Sequence, residues 1–217
     1  YHEGRTIETI LDQDPQSALN YVMRLASVYS VLADRSIEAP PLQTNGILFL
    51  ESGGTLILPP KILERLRNVQ VEQQRRDTYE LFNHPDLEGE RGVVFSLGVM
   101  LYRISTGLFP YSADDEVELH SQMREMQILP PNNRTTSISG PFSKGVMEAL
   151  DPLNEESRVC EFHAKLVEWV RAGLYAEIPE IEQTRLRAEG DRLEARYRSA
   201  FSRKRYLRRH GRRLGVI

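Results

Sequence analysis

The chain has a single cysteine, Cys160. That excludes an internal disulfide framework and any cysteine-based metal cluster. A lone thiol of this kind is expected to be buried and inert, because free cysteine packs as a small hydrophobe. No apolar run approaches the roughly 18 residues of a membrane span, and the N-terminus does not read as a signal peptide. The five histidines (His2, His84, His120, His163 and His210) stand apart, without the spacing of metal ligands. No Ser, His and acid trio can be placed with any specificity. Internal repeats are missing, and so is the Gly-x-Gly-x-x-Gly pattern of a loop that covers phosphates.

What is present is an ordinary globular composition over 217 residues, 40 % apolar and 27 % charged. This is enough for one domain with a real core, or a domain with an appendage. The net charge of −3 conceals an asymmetry. Between Arg185 and Arg213 stand 12 Lys/Arg and three acids, a net +9, which leaves −12 on the remainder. An acidic body with a basic tail points to a tail that meets an anionic surface.

Residues 5–15 read as a short helix that closes at Asp14-Pro15, since the residue before proline avoids the helical region. From Ser17 onward, Leu19, Val22, Leu25, Ala26, Tyr29 and Leu32 recur at the spacing of an amphipathic helix. A proline-stiffened loop, "IEAPPLQTNG", follows. Two short apolar runs around Gly53-Gly54 (47–58) predict a hairpin. Residues 61–92 read as a long polar loop with some helix. Residues 93–106, "VVFSLGVMLYRIST", are apolar on nearly every side, as in a helix enclosed by a larger core. Gly107 fits its C-cap. Three more helices are expected at 114–126, 141–150 and 161–174, the first with acids in its opening turn, where the helix dipole favours them. Beyond Pro179 the Arg-rich sequence predicts one long, mostly solvated helix.

This order of elements, together with "SLGVMLYRISTGLFPY" and "YHEGRTIETIL", resembles the C-terminal lobe of a Ser/Thr protein kinase. The likeness covers roughly residues 1–172. It implies a mainly α fold, a kinase-like large lobe over 1–175 with one small hairpin, followed by a basic helical extension over 176–217. It also implies a fragment: Tyr1 falls inside a motif, the small lobe would lie upstream, and "LGVI" reads as the first residues of a membrane span.

The resemblance sets a register at which the chemistry is missing. The family's catalytic loop precedes its hairpin, as "APPLQTNG" precedes "ILFL" here. Pro41 then stands at the catalytic Asp, Gln43 at the loop Lys and Gly46 at a metal-binding Asn. After the hairpin, Pro60 stands at the metal-binding Asp. Phosphoryl transfer is mostly positioning and charge neutralisation by such groups, and Mg²⁺ wants oxygen ligands. Proline and glycine side chains offer none. Losing one preorganised electrostatic contact costs on the order of 3 kcal/mol. The expectation is a pseudokinase with no catalytic residue and no metal site, and without ATP or Mg²⁺ as cofactors of this chain.

Positions that bear the fold are kept. "HPDL" resembles the end of the family's activation region, which places Asp86 at an acid that pairs with an Arg between the last two helices. Arg158 is the matching candidate. Val93 stands where the family has an Asp that holds the catalytic loop, which is sensible once that loop is gone. Protein partners are expected at a groove between the helix at 114–126 and the loop at 61–92. The run 203–213, with seven Lys/Arg and no acid, has three readings: a solvated helix face with no partner, a segment beside an anionic membrane, where each Lys/Arg gains about 1 kcal/mol, and a nucleic-acid contact. Of these the membrane is favoured. The setting implied is cytoplasmic, as part of a membrane protein. The rival reading is an atypical active Ser/Thr kinase that draws its acids from Asp77 or Asp86.

Overall fold

The computed structural model describes residues 4–11, 15–38, 40–42, 46–50, 53–59, 61–62, 65, 81–111, 115–154 and 158–210. Gln43, Pro60, Asp77, most of the 61–92 loop and the last residues of the basic tail lie outside these.

The chain opens with strand β1 (Gly4–Thr6) and the short helix α1 (Ile7–Leu11), then the long helix α2 (Pro15–Asp34). Strands β2 (Ile47–Leu50) and β3 (Thr55–Ile57) form the expected hairpin. β1 adds to the free edge of β2, antiparallel, pairing Gly4 with Leu50 and Thr6 with Leu48. The helix expected over 5–15 is therefore shorter, and the sheet has three strands in the order β1-β2-β3. An unpaired edge offers a row of backbone donors and acceptors, and a three-residue segment satisfies it.

The helical body follows: α3 (Gly89–Thr106), α4 (Glu116–Arg124), the single turn α5 (Pro131–Arg134), α6 (Gly140–Leu150), α7 (Val159–Ala172) and α8 (Glu180–His210). The turn α5 is not legible in the sequence, because four residues carry no periodicity. α3 is the helix expected to be enclosed. It buries Val93, Val94, Phe95, Leu97, Val99, Met100, Leu101, Tyr102 and Ile104 on all sides. Each such side chain contributes roughly 1.5–3 kcal/mol when taken out of water. Its C-cap, Gly107, adopts the left-handed conformation (φ 74°) and donates its N–H to Arg103 O.

α2 packs along α7 and against α3 through Ala18, Leu19, Val22, Leu25, Ala26 and Tyr29. α6 crosses α3. The result is mainly helical around one core, with the small sheet at its margin, like the large lobe of a kinase. Cys160, on α7, is half-buried and not fully enclosed.

Candidate functional site

Leu42 and Ile47, which flank the stretch that the kinase resemblance aligns with a catalytic loop, are both fully buried in the core. Gly46 is buried too, and its carbonyl accepts the Leu58 N–H at 2.8 Å, which closes the base of the hairpin. Pro41, next to Leu42, is exposed on the rim of a cleft of about 580 Å³. Glu38, Pro85, Leu87, Glu116 and His120 also line that cleft. The two kinase-register positions described, Pro41 and Gly46, offer a metal no side-chain ligand. Pro41 has no side-chain oxygen, Gly46 has no side chain, and the Gly46 carbonyl is already engaged. The carboxylates that line the cleft are Glu38, Glu88 and Glu116, and among the described residues no group of three or more His, Cys, Asp or Glu is placed to hold a metal ion.

Across the cleft runs the segment 81–88. Phe82 is buried and meets Phe109 edge-on at 5.2 Å. His84 is buried and stands edge-on to Phe95 at 5.1 Å. Its Nδ1 accepts the Asp86 N–H at 3.1 Å, so the neutral ring carries its proton on Nε2. Burial lowers the His84 pKa below its usual value.

Asp86 does not pair with Arg158. Both of its carboxylate oxygens receive Arg124, Nε at 2.6 Å and Nη2 at 2.8 Å, in a two-pronged bond between the segment and the end of α4. The hydrogen bond from Arg124 holds the Asp86 carboxyl below the usual carboxylate range. Both side chains are about half exposed. Arg158 is exposed at the N-cap of α7 and lines a separate cleft with Glu148, Asp151 and Glu161.

The tie between the start of α3 and the last helices is made instead by Glu90. Its Oε2 accepts the Val159 N–H at 3.0 Å, satisfying a free donor in the first turn of α7. Beside it, Arg91 donates to the Pro152 carbonyl. Arg124 and Glu90 were missed in the sequence because each acts on a group far along the chain. His84 bonds locally, to the Asp86 N–H, but its burial is not legible in the sequence. The signals available were modest: an acid in the first turn of α3 and a base in the last turn of α4.

No protein-family model matches the chain. Among curated proteins it is similar to Serine/threonine-protein kinase PknB of Mycobacterium tuberculosis and of Mycobacterium bovis, 27 % identical over 133 residues in each. The match covers 60 % of this chain and spans only 20 % of the length of those relatives. The chain is thus a distant relative of Ser/Thr protein kinases with a fold like that of their large lobe. Among the described residues no helix is long and apolar enough to cross a membrane.

Proposed function

We propose that the chain is the large lobe of a pseudokinase, a protein-binding and regulatory module of a larger, membrane-anchored protein. One observation carries the reading. Leu42 is locked in the core, and the residue beside it at the rim of the cleft is Pro41. In the kinase register that is where the carboxylate that aligns the substrate hydroxyl would stand. A pyrrolidine ring accepts no proton and binds no cation.

The rival, an active kinase using other acids, gains little from Asp86, whose oxygens are both committed to Arg124. The kept features are those that shape a surface: the cleft, the 81–88 segment and α4. Partners would dock there, at α4 and the loop before α3, a placement taken from the kinase likeness. The basic run 203–213 would bring the module near anionic lipid.

The deciding experiment measures Mg²⁺-dependent ATP hydrolysis and peptide phosphorylation by the full-length protein. No turnover above background is expected. Turnover abolished by Asp77→Asn or Asp86→Asn would overturn the proposal. A thermal-shift titration with ATP, with and without Mg²⁺, then separates a nucleotide-sensing module from one that ignores the old site. Sedimentation with vesicles containing phosphatidylserine tests the lipid contact; equal sedimentation with neutral vesicles would remove it.

A further inference from the structure

Helix α8 is bonded to the body along only part of its length. Near its start, Gln183 accepts the Thr136 hydroxyl at 3.4 Å. Leu186 is buried, and its carbonyl accepts Asn133 Nδ2 at 2.8 Å. At Gly190 the helix comes so close to α5 that a β-carbon would lie 3.0 Å from the Asn133 carbonyl oxygen. Tyr197 donates its hydroxyl to the Ile128 carbonyl at 3.3 Å. Positions 183, 186, 190 and 197 fall on one face of the helix, at the spacing of its turns.

Tyr197 is the last of the described side chains of α8 to bond outside the helix. Past it, Arg198 donates to Glu194, Ser199 to the Arg196 carbonyl and Ser202 to the Arg198 carbonyl. The helix nevertheless continues to His210. A helix in water is costly to nucleate and cheap to extend, so the seated half supplies the nucleus for the second half.

That second half leads into the basic run. Arg203 stands six residues beyond Tyr197, about 9 Å along the axis, which is about one Debye length at physiological salt. From Arg203 to Arg213 the sequence has seven Lys/Arg and no acid, while the residues outside 185–213 carry a net −12. Anionic lipid attracts the first and repels the second. A flexible tether would leave the lobe's height above such a surface undefined. A helix continuous with the seat defines it.

We propose that α8 is a strut that holds the acidic lobe off an anionic lipid surface: seated through Leu186, Gly190 and Tyr197, it presents the basic run from Arg203 at a fixed distance and orientation from the lobe. The strut rests on the reading that 203–213 meets lipid, and the two can fail separately. In the full-length protein, a donor dye is placed at the exposed position 153 through an unnatural amino acid. The protein is reconstituted in bilayers that contain an acceptor lipid, and energy-transfer lifetimes report the height of the lobe. A narrow range of heights is expected with phosphatidylserine present and a broad one in neutral phosphatidylcholine. Four Gly/Ser residues inserted after Ser199 keep the charge and the seat, and should broaden the range on phosphatidylserine about twofold or more. Lys204→Gln combined with Arg208→Gln should move the range towards that of the neutral bilayer.

A difference between the two lipids that the insertion leaves untouched would refute the strut and leave the lipid contact standing. Equal ranges on the two lipids, or no effect of the paired Gln substitutions, would remove the lipid contact and the strut with it. A return to the neutral-bilayer range on adding duplex DNA at equal phosphate concentration would assign the run to nucleic acid and overturn the strut.

Discussion

The indole of Trp169 occupies the space that a side chain at Gly145 would need: a β-carbon there would lie 2.0 Å from Cζ2 of the ring. Trp169 is held edge-on between Phe142 and Phe162, with centroids at 6.1 and 6.0 Å. In an exposed helix interior, glycine to alanine gains up to about 1 kcal/mol. Here the sign reverses. Gly145→Ala is expected to cost roughly 1–3 kcal/mol through overpacking. The chain has one tryptophan, so a shifted emission spectrum together with a lowered denaturation midpoint checks it. An unchanged spectrum with raised stability would show that the ring moves aside freely.

Two buried tyrosines should respond in opposite directions to loss of their hydroxyls. Tyr102 donates to the Leu129 carbonyl at 2.9 Å and accepts Arg134 Nε at 2.7 Å. Tyr102→Phe strands both partners and is expected to cost about 1–2 kcal/mol. The Tyr29 hydroxyl is buried without a partner among the described residues. Tyr29→Phe removes a desolvated polar group and is expected to be neutral or to stabilise by about 1 kcal/mol. Urea denaturation of the two variants decides the matter, and a loss in Tyr29→Phe equal to that in Tyr102→Phe would contradict it.

His84 makes stability depend on pH. Burial lowers its pKa from the ordinary 6.5, so below that value the unfolded chain takes up a proton that the folded ring refuses. The contribution is complete above pH 6.5, declines as the pH falls from there towards the lowered folded value, and then levels off. His84→Asn keeps an acceptor for the Asp86 N–H and does not titrate. Melting temperature followed from neutral to mildly acid pH should slope less in this variant. An equal slope would place the proton uptake elsewhere.

The Asp86–Arg124 bond is exposed and therefore screened. Its carboxyl titrates below the ordinary range, so what it adds is present above the ordinary carboxylate pKa and is lost as the pH falls through the depressed value. A double-mutant cycle of Asp86→Asn with Arg124→Ala should show coupling that shrinks in high salt. The same cycle with Arg158→Ala should show none. Coupling between Asp86 and Arg158 would restore the pairing that the kinase resemblance implied.

The residues alone determined the helical body. The 3–4 spacing in α2 and the all-round apolar character of α3 leave few ways to hide that surface, and Gly107 marks where α3 stops. They also determined what two positions can offer, because Pro41 and Gly46 cannot supply a carboxylate in any conformation. That Glu38, Glu88 and Glu116 line the cleft beside Pro41 was decided by the fold. Only the tertiary structure decided who pairs with whom. The third strand, the choice of Arg124 over Arg158, the Glu90 bond to α7 and the seat of α8 at Gly190 all join groups far apart in the chain. Apolar periodicity is a local property that can be read along the sequence. A directional bond depends on where two distant backbones come to rest, and that is settled by the packing of everything between them.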